Sequence, residues 1–320
     1  TAERAAVCGP FKRIRICGAT PPSSAATQIM MMGMYEHLSA GMSERDDKIA
    51  AFVDAQRMAY ADRDHFFGDP DAVDIPLKEL ISPAYLQHRA ANPFAPGDAP
   101  MHGDPARFSD NKESLSIWSP DTTAEVPGTS HLSIIDAQGN AVSMTATVEA
   151  PFGSSRWVAG FLLNNQMTDF AKEYLPGSKP QVNAIAPGKR PRSSMSPTIA
   201  FDQQGELLMV TGSPGGNNIP AYVFKSLAAV LDWGMTPSQA VTFPNIIARG
   251  TDVRVEVNVP PGQDIANALK ARGYRVQERN GENSGLHMIL VTKHALTGAA
   301  DPRREGTVEY LPGPTALQDH

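Results

Sequence analysis

Between positions 129 and 150 the chain reads TSHLSIIDAQGNAVSMTATVEA, two runs of alternating polar and apolar residues on either side of Gly139. A period of two sends successive side chains to opposite faces of a strand, so the stretch predicts a β-hairpin. Thr129, His131, Ser133, Ser143, Thr145, Thr147 and Glu149 share one face; Leu132, Ile134, Val142, Met144, Ala146 and Val148 share the other. The expectation is one polar face and one buried apolar face. A three-residue loop, Ala137-Gln138-Gly139, with Gly139 left-handed, sets Asp136 opposite Asn140 and Thr129 opposite Thr147. A two- or four-residue loop breaks that pairing.

At 320 residues, 41% of them hydrophobic, the chain can build a sizeable core without stapling by disulfides or metals. Twenty-eight Lys and Arg against 34 Asp and Glu give −6, which excludes a basic nucleic-acid surface. No apolar run approaches the roughly 18 residues of a membrane-spanning helix. Cys8 and Cys17 have no metal-ligand spacing and are expected to be structural, forming at most one bridge. Apolar residues at three- and four-residue intervals predict helices from Thr27 to Leu38 and from Arg45 to Tyr60, joined at Gly41. Residues 84–128, rich in Pro, Gly and Asp, read as a linker ending at Pro127-Gly128. Past the hairpin, LLMVTGSPGG predicts a strand entering a Gly-rich turn, then a helix from about Ala221 to Trp233. A short helix from Asp264 to Arg272 and a late strand from His287 to Thr292 complete the pattern.

The junction of linker and strand, Gly128-Thr129, suggests chemistry. A Thr hydroxyl is a poor nucleophile unless a base lies beside it, and an N-terminal Thr carries such a base in its own α-amine. With an unperturbed pKa of roughly 8, that amine works near neutral pH without a His. Self-cleavage of the bond before Thr129 creates it. A Gly-Thr pair alone is also an ordinary turn entering a strand. His131, two residues on, has no partner spacing and reads as structural.

Five blocks in order, TSHLSIIDAQGNAVSMTATVEAPFG, GFLLNNQMTDF, KRPRSSMSPTI, VTGSPGG and DPRREG, resemble the γ-glutamyltranspeptidases (glutathione hydrolases) of the N-terminal nucleophile hydrolase superfamily. PPSSAATQIM and PDAVDIPLKELISPAYLQHR resemble the end of that family's large subunit. The resemblance implies an α+β fold, a four-layer αββα sandwich. Residues 1–128 would be the C-terminal part of a large subunit with its linker, and 129–320 the small catalytic subunit. It also implies that Thr129 attacks first its own upstream bond, then the γ-glutamyl carbonyl of a glutathione-like donor. Water or an amino acceptor releases the acyl group, with no cofactor. Thr147 resembles the Thr that hydrogen-bonds the nucleophile, and Gln166 and Asp169 the pair that holds the donor's α-ammonium. Ser193 and Ser194 resemble the hydroxyl donors to its α-carboxylate, and Gly215 and Gly216 the backbone oxyanion hole. The family's carboxylate-binding Arg has no counterpart here. The part before Thr129 is short for a family large subunit, so the chain resembles a precursor truncated at its N-terminus. Family habit in bacteria implies the periplasm or the exterior, although the sequence has no signal peptide.

Two departures bear on substrate. Glu149 stands where γ-glutamyl-specific members usually carry Asn, adding negative charge beside the ammonium site. TVEA and GFLLNNQMTDF are similar to the branch that includes cephalosporin acylases, whose glutaryl-type side chains lack the α-amino group. A glutaryl amide acylase is therefore the alternative activity. The segment between Asp169 and Ser193 is short for the family's lid loop, with Tyr174 its aromatic candidate. A third reading is an inactive scaffold that exposes apolar core surface.

Overall fold

The computed structural model describes residues 3–109, 118–121, 123, 128–171, 179–293 and 295–311. It opens with strands β1 (Val7–Phe11) and β2 (Ile14–Gly18), whose facing Cys8 and Cys17 form a disulfide. Helices α1 (Ala25–Leu38), α2 (Arg45–Phe66), α3 (Leu77–Leu80) and α4 (Pro83–Ala90) follow. The expected hairpin is β3 (Thr129–Ile135) and β4 (Ala141–Thr147), and a small pair, β5 (Trp157–Val158) and β6 (Phe161–Leu162), comes next. The chain continues through β7 (Thr198–Phe201), β8 (Leu207–Gly212), α5 (Ile219–Leu231), α6 (Pro237–Thr242), β9 (Ile246–Ile247) and β10 (Asp252–Glu256). It ends with α7 (Gly262–Ala271), β11 (Arg275–Arg279), β12 (His287–Val291) and β13 (Leu296–Ala300).

Six strands form one antiparallel sheet in the order β1-β2-β7-β8-β12-β13. A smaller sheet, β11-β10-β9, pairs β10 parallel with β11 through the crossover helix α7. The sequence AATQIMMMGMY carries no charge, and α1 is buried from Ala25 through Tyr35, as befits a helix that is apolar all round. It packs against β1, α2, α4 and α5. Phe52 of α2 stacks on Phe224 of α5 with centroids 4.3 Å apart. Each such buried ring contributes roughly 1.5–3 kcal/mol, so this layer anchors the fold.

The helices expected near Thr27, Arg45, Ala221 and Asp264 are present, with α2 running one and a half turns past Tyr60 to Phe66. The expected linker is in part helical. Ser82 Oγ accepts from Tyr85 N at 3.3 Å, Pro83 takes the first turn, and Tyr85, Leu86 and Arg89 turn inward to make α4. Pro is at home at that position because its missing N–H has no helical partner there. Residues 110–117, 122 and 124–127 of that linker lie outside the described residues.

Strands β3 and β4 pair in the expected register, Thr129 opposite Thr147, with Gly139 at φ 86° and Asp136 N donating to Asn140 O at 3.0 Å. Their faces are the reverse of the expectation. Thr129 and His131 are buried, whereas Leu132, Ile134, Val142 and Met144 are 44%, 51%, 46% and 49% exposed. The cause lies in β8. Thr211 Oγ1 bonds Ser226 Oγ of α5, while a Cβ on Gly212 would sit 2.2 Å from the His131 ring. Neighbouring strand residues point to opposite faces, so helices cover one side of the large sheet and the hairpin covers the other. The contact between sheets is polar: Ser143 Oγ donates to Thr211 O at 3.0 Å and accepts from Thr198 N at 3.0 Å. Polar residues therefore turn inward and the aliphatic ones outward. These are three layers, helix, sheet and sheet, of the αββα sandwich; no described residues form a fourth over the aliphatic face.

Candidate active site

At the open end of the hairpin a cavity of about 10 Å³ brings together Thr129, Thr147, Glu149, Gln166, Asp169, Ser193 and Gly216. Thr129 and Thr147 face one another because the three-residue loop sets that register. Thr147 Oγ1 accepts from Glu149 N at 2.8 Å, which turns the chain sharply after β4. Glu149 follows with φ at +76°, a conformation rare outside glycine. Its buried carboxylate accepts from Asn165 Nδ2, whose Oδ1 in turn accepts from Ala150 N at 2.9 Å. Asp169, also buried, accepts from Gln166 Nε2 within one turn of 3₁₀ helix, Gln166–Asp169. Both carboxylates are thus rigidly aimed, a requirement for recognising a cation.

Ser193 reaches the cavity and accepts from Met195 N at 3.3 Å. Ser194 does not line it. Its buried hydroxyl accepts from Arg63 Nη2 at 2.7 Å and donates to Asn217 Oδ1 at 3.4 Å, behind the cavity wall. Gly215 also stands aside. At φ 137°, a Cβ there would lie 2.5 Å from the Tyr222 ring, whereas Gly216, at φ 57°, borders the cavity. Two successive residues at positive φ before α5 are readily adopted only by glycine. Gly128, still joined to Thr129, lies so close to the chain after β4 that a Cβ would be 2.1 Å from Glu149 O. Tyr174 lies outside the described residues.

Behind Ser194 is a charged cluster that reading the sequence missed. Asp62, Arg63, Asp64 and His65 end α2 and are all buried. Asp64 meets Arg63 at 3.2 Å, Arg249 at 3.0 Å and Arg192 at 3.5 Å; Arg192 also pairs with Asp121 at 3.2 Å. Burial pulls the Arg192 guanidinium below its ordinary pKa, with the neighbouring Arg63 adding to the fall. The only signal was four consecutive ionisable residues inside a helical pattern, which reads as a solvated end.

His131 is structural, as its isolation suggested. Its Nδ1 lies 2.8 Å from Thr145 Oγ1 and its Nε2 3.1 Å from Ser133 Oγ. Burial, and secondarily His287, pushes its pKa down to about 3. Burial and His102 lower His65 to about 4. The unfolded chain takes up these protons first, near pH 6.5, so the stability is whole above that value and lost as pH falls toward the folded values. Each pH unit costs up to about 1.4 kcal/mol per group. The thermal midpoint is expected to drop between pH 6 and pH 4, and His131→Gln to flatten that drop; an unchanged slope in calorimetry would exonerate His131.

A helical layer over two sheets, with a Thr pair at the mouth of the inner hairpin, defines a fold of the N-terminal nucleophile hydrolase type. The Gamma-glutamyltranspeptidase sequence profile matches residues 1–311, and the chain belongs to that family. It is 31% identical to the glutathione hydrolase proenzyme of Escherichia coli K12 over 94% of this chain and 51% of the relative. It is 29% identical to the acylase ACY 1 proenzyme of Pseudomonas sp. SE83, over 97% and 52%. The chain spans about half the length of these relatives. The cephalosporin acylase of Bacillus halodurans shares the fold at TM-score 0.79, 21% identity, covering 97% of this chain and 53% of that one. The γ-glutamyltranspeptidase of Pseudomonas nitroreducens complexed with L-DON aligns at TM-score 0.50 and 35% identity, over 57% of this chain and 99% of that one. No helix among the described residues is long and apolar enough to cross a membrane.

Proposed function

We propose that this protein is a glutathione hydrolase or γ-glutamyltransferase that matures by cutting itself before Thr129. The observation that carries the reading is one cavity holding Thr129, its cross-strand partner Thr147, two buried carboxylates, Ser193 and Gly216. Thr129 Oγ attacks the γ-carbonyl of a glutathione-like donor, and its α-amine takes the proton and passes it to the departing amine nitrogen. The backbone of Gly216, which borders the cavity, would offer its N–H to the tetrahedral oxyanion. Asp169 and Glu149, with Gln166, hold the α-ammonium; Ser193 donates to the α-carboxylate, and Ser194, tied to Arg63, supports it from behind. Water or an amino acceptor then attacks the ester, restoring Thr129.

In the unbroken chain, Gly128 packs against Glu149 O and crowds the site. Cleavage would free that space for a substrate. The two products would be residues 1–128, extended by whatever precedes them, and 129–320. That 57% of this chain matches 99% of a separate chain in a solved relative supports the division. The Cys8–Cys17 disulfide supports a periplasmic or extracellular compartment, where such bonds persist.

A glutaryl amide acylase is the second reading, favoured by Glu149 in the cavity and by the acylase relative. Intact-mass measurement on the purified protein, then a γ-glutamyl anilide assayed against its glutaryl counterpart, separates the readings. Two fragments dividing at Thr129 and a γ-glutamyl preference are expected. A glutaryl preference selects the acylase, and an uncut, inactive chain overturns both.

A further inference from the structure

Upstream of the Gly128–Thr129 bond, residues 119–121 and 123 are fastened to the part of the chain that follows it. Ser119 N donates to Pro180 O at 3.0 Å and its Oγ to Lys179 O at 2.9 Å, while Gln181 Nε2 donates to Pro120 O at 3.2 Å. Asp121 lies deeper, 1% exposed, and pairs with the equally buried Arg192 at 3.2 Å. Its carboxylate also accepts from Asn183 Nδ2 at 2.8 Å and from Thr123 N at 2.9 Å. Its N–H donates to Asp64 O at 2.8 Å, and its carbonyl accepts from Arg192 Nη2 at 3.0 Å. Both carboxylate oxygens and both backbone groups of Asp121 are therefore engaged.

Burial alone would raise the Asp121 carboxyl; Arg192, then the bonds from Thr123 and Asn183, more than offset that and hold it below the usual carboxylate range. The anchor is thus charged at neutral pH. What it fixes follows from the chain. Thr123, two residues on, accepts at its carbonyl from Asn217 Nδ2 at 3.0 Å, beside Gly216 of the first cavity. Thr123 and Gly128 are five residues apart in the sequence, so they lie within at most about 18 Å of one another. Gly128 in turn packs against Glu149 O. On the other side of the bond, Thr129 is held by its pairing with Thr147 and by Arg304 Nη1, which donates to Thr129 O at 3.2 Å. The bond proposed to be cut is gripped on both sides.

We infer that Asp121, clamped by Arg192, is a positioning residue for self-cleavage: it anchors the strand upstream of the cut so that the Gly128 carbonyl is presented to Thr129 Oγ. The inference rests on the maturation step proposed above and adds the residue that aligns it. In that step the bond from Oγ to the Gly128 carbonyl carbon forms, the bond from that carbon to Thr129 N breaks, and the hydroxyl proton ends on the new α-amine. Water then hydrolyses the ester, leaving a Gly128 carboxylate and restoring the hydroxyl. Such an attack depends steeply on alignment, a 1 Å misplacement costing on the order of 100-fold, and an anchored upstream strand supplies the alignment. The work of the anchor ends with the cut, because the hydroxyl that turns over substrate lies on the other product.

The test follows division of the freshly made full-length precursor by intact mass over time, then measures kcat/KM for γ-glutamyl-4-nitroanilide per cleaved molecule. Asp121→Asn keeps the shape and removes the charge; it is expected to slow division about tenfold or more and to change turnover per cleaved molecule less than about threefold. A second variant carries a short Gly/Ser insertion directly after Thr123. It leaves every partner of Asp121 in place, lengthens the tether, and is expected to slow division to a similar extent. An unchanged rate of division in Asp121→Asn overturns the proposal. Equal falls in division and in turnover also overturn it and leave Asp121 as a strut of the fold. A slow Asp121→Asn beside an insertion variant that divides normally does the same, since the anchor would then act without its tether. Should Asp121→Asn fail to fold, the insertion variant is judged by the same two readouts. Failure of the maturation reading is distinct, because the unmodified protein would then never divide at Thr129.

Discussion

Thr129→Ala is expected to remain one uncut chain and to lose amide turnover by on the order of 10³-fold or more. In the proposed mechanism one hydroxyl serves both steps, so maturation and catalysis should fall together. Among the described residues Thr147 is the cross-strand neighbour at that level, and its Oγ1 already accepts from Glu149 N, so it is not poised to substitute. Intact mass and an anilide assay on the same preparation check both losses. Thr129→Ser, which keeps a hydroxyl, should split and retain activity. A Thr129→Ala protein that still divides between Gly128 and Thr129 would remove Thr129 from the mechanism.

Asp169→Asn is expected to weaken γ-glutamyl donors by about 10- to 100-fold in kcat/KM, the size expected when a charge-assisted hydrogen bond becomes a neutral one. Glutaryl amides, which carry no ammonium, should change only a few-fold. The comparison matters because Asp169 also receives Gln166 Nε2 and its backbone carbonyl receives Asn183 Nδ2 at 2.8 Å, so a packing defect would depress both donors. Equal losses therefore assign Asp169 to structure. A large loss confined to the γ-glutamyl donor leaves Glu149 unable to hold the ammonium alone.

Several features were legible because they are local. Alternation and a Gly at the third loop position settle a hairpin register without knowledge of anything around it, and the Thr129–Thr147 pairing follows from that register. Uncharged runs such as IMMMGMY announce a buried helix in the same way. Motif resemblance nominated the residues around Thr129, and seven of them line one cavity. Ser194 and Gly215 do not, because one is drawn to Arg63 and the other is packed on Tyr222. α4 escaped notice because Pro83, a helix starter, looks like a helix breaker when only composition is read.

By itself, then, the sequence determined the hairpin, its register, the helices α1, α2, α5 and α7, and the family. Tertiary structure alone decided which face of the hairpin turns inward. Polarity predicts burial only on average, and the partner sheet offers Thr211 O and Thr198 N, which Ser143 bonds, so the hydroxyl face is the one that goes in. Tertiary structure likewise decided that Asp62, Arg63, Asp64 and His65 are buried, since charges enter a core only where partners distant in the chain, Arg192 and Arg249 here, compensate them. It also decided that Arg303 pairs with Glu256 and Asp301 while its neighbour Arg304 bonds the backbone carbonyls of Thr129 and Asn283. Adjacent residues of identical chemistry acquire different surroundings when one meets Glu256 and the other meets backbone carbonyls at the edge of a cavity.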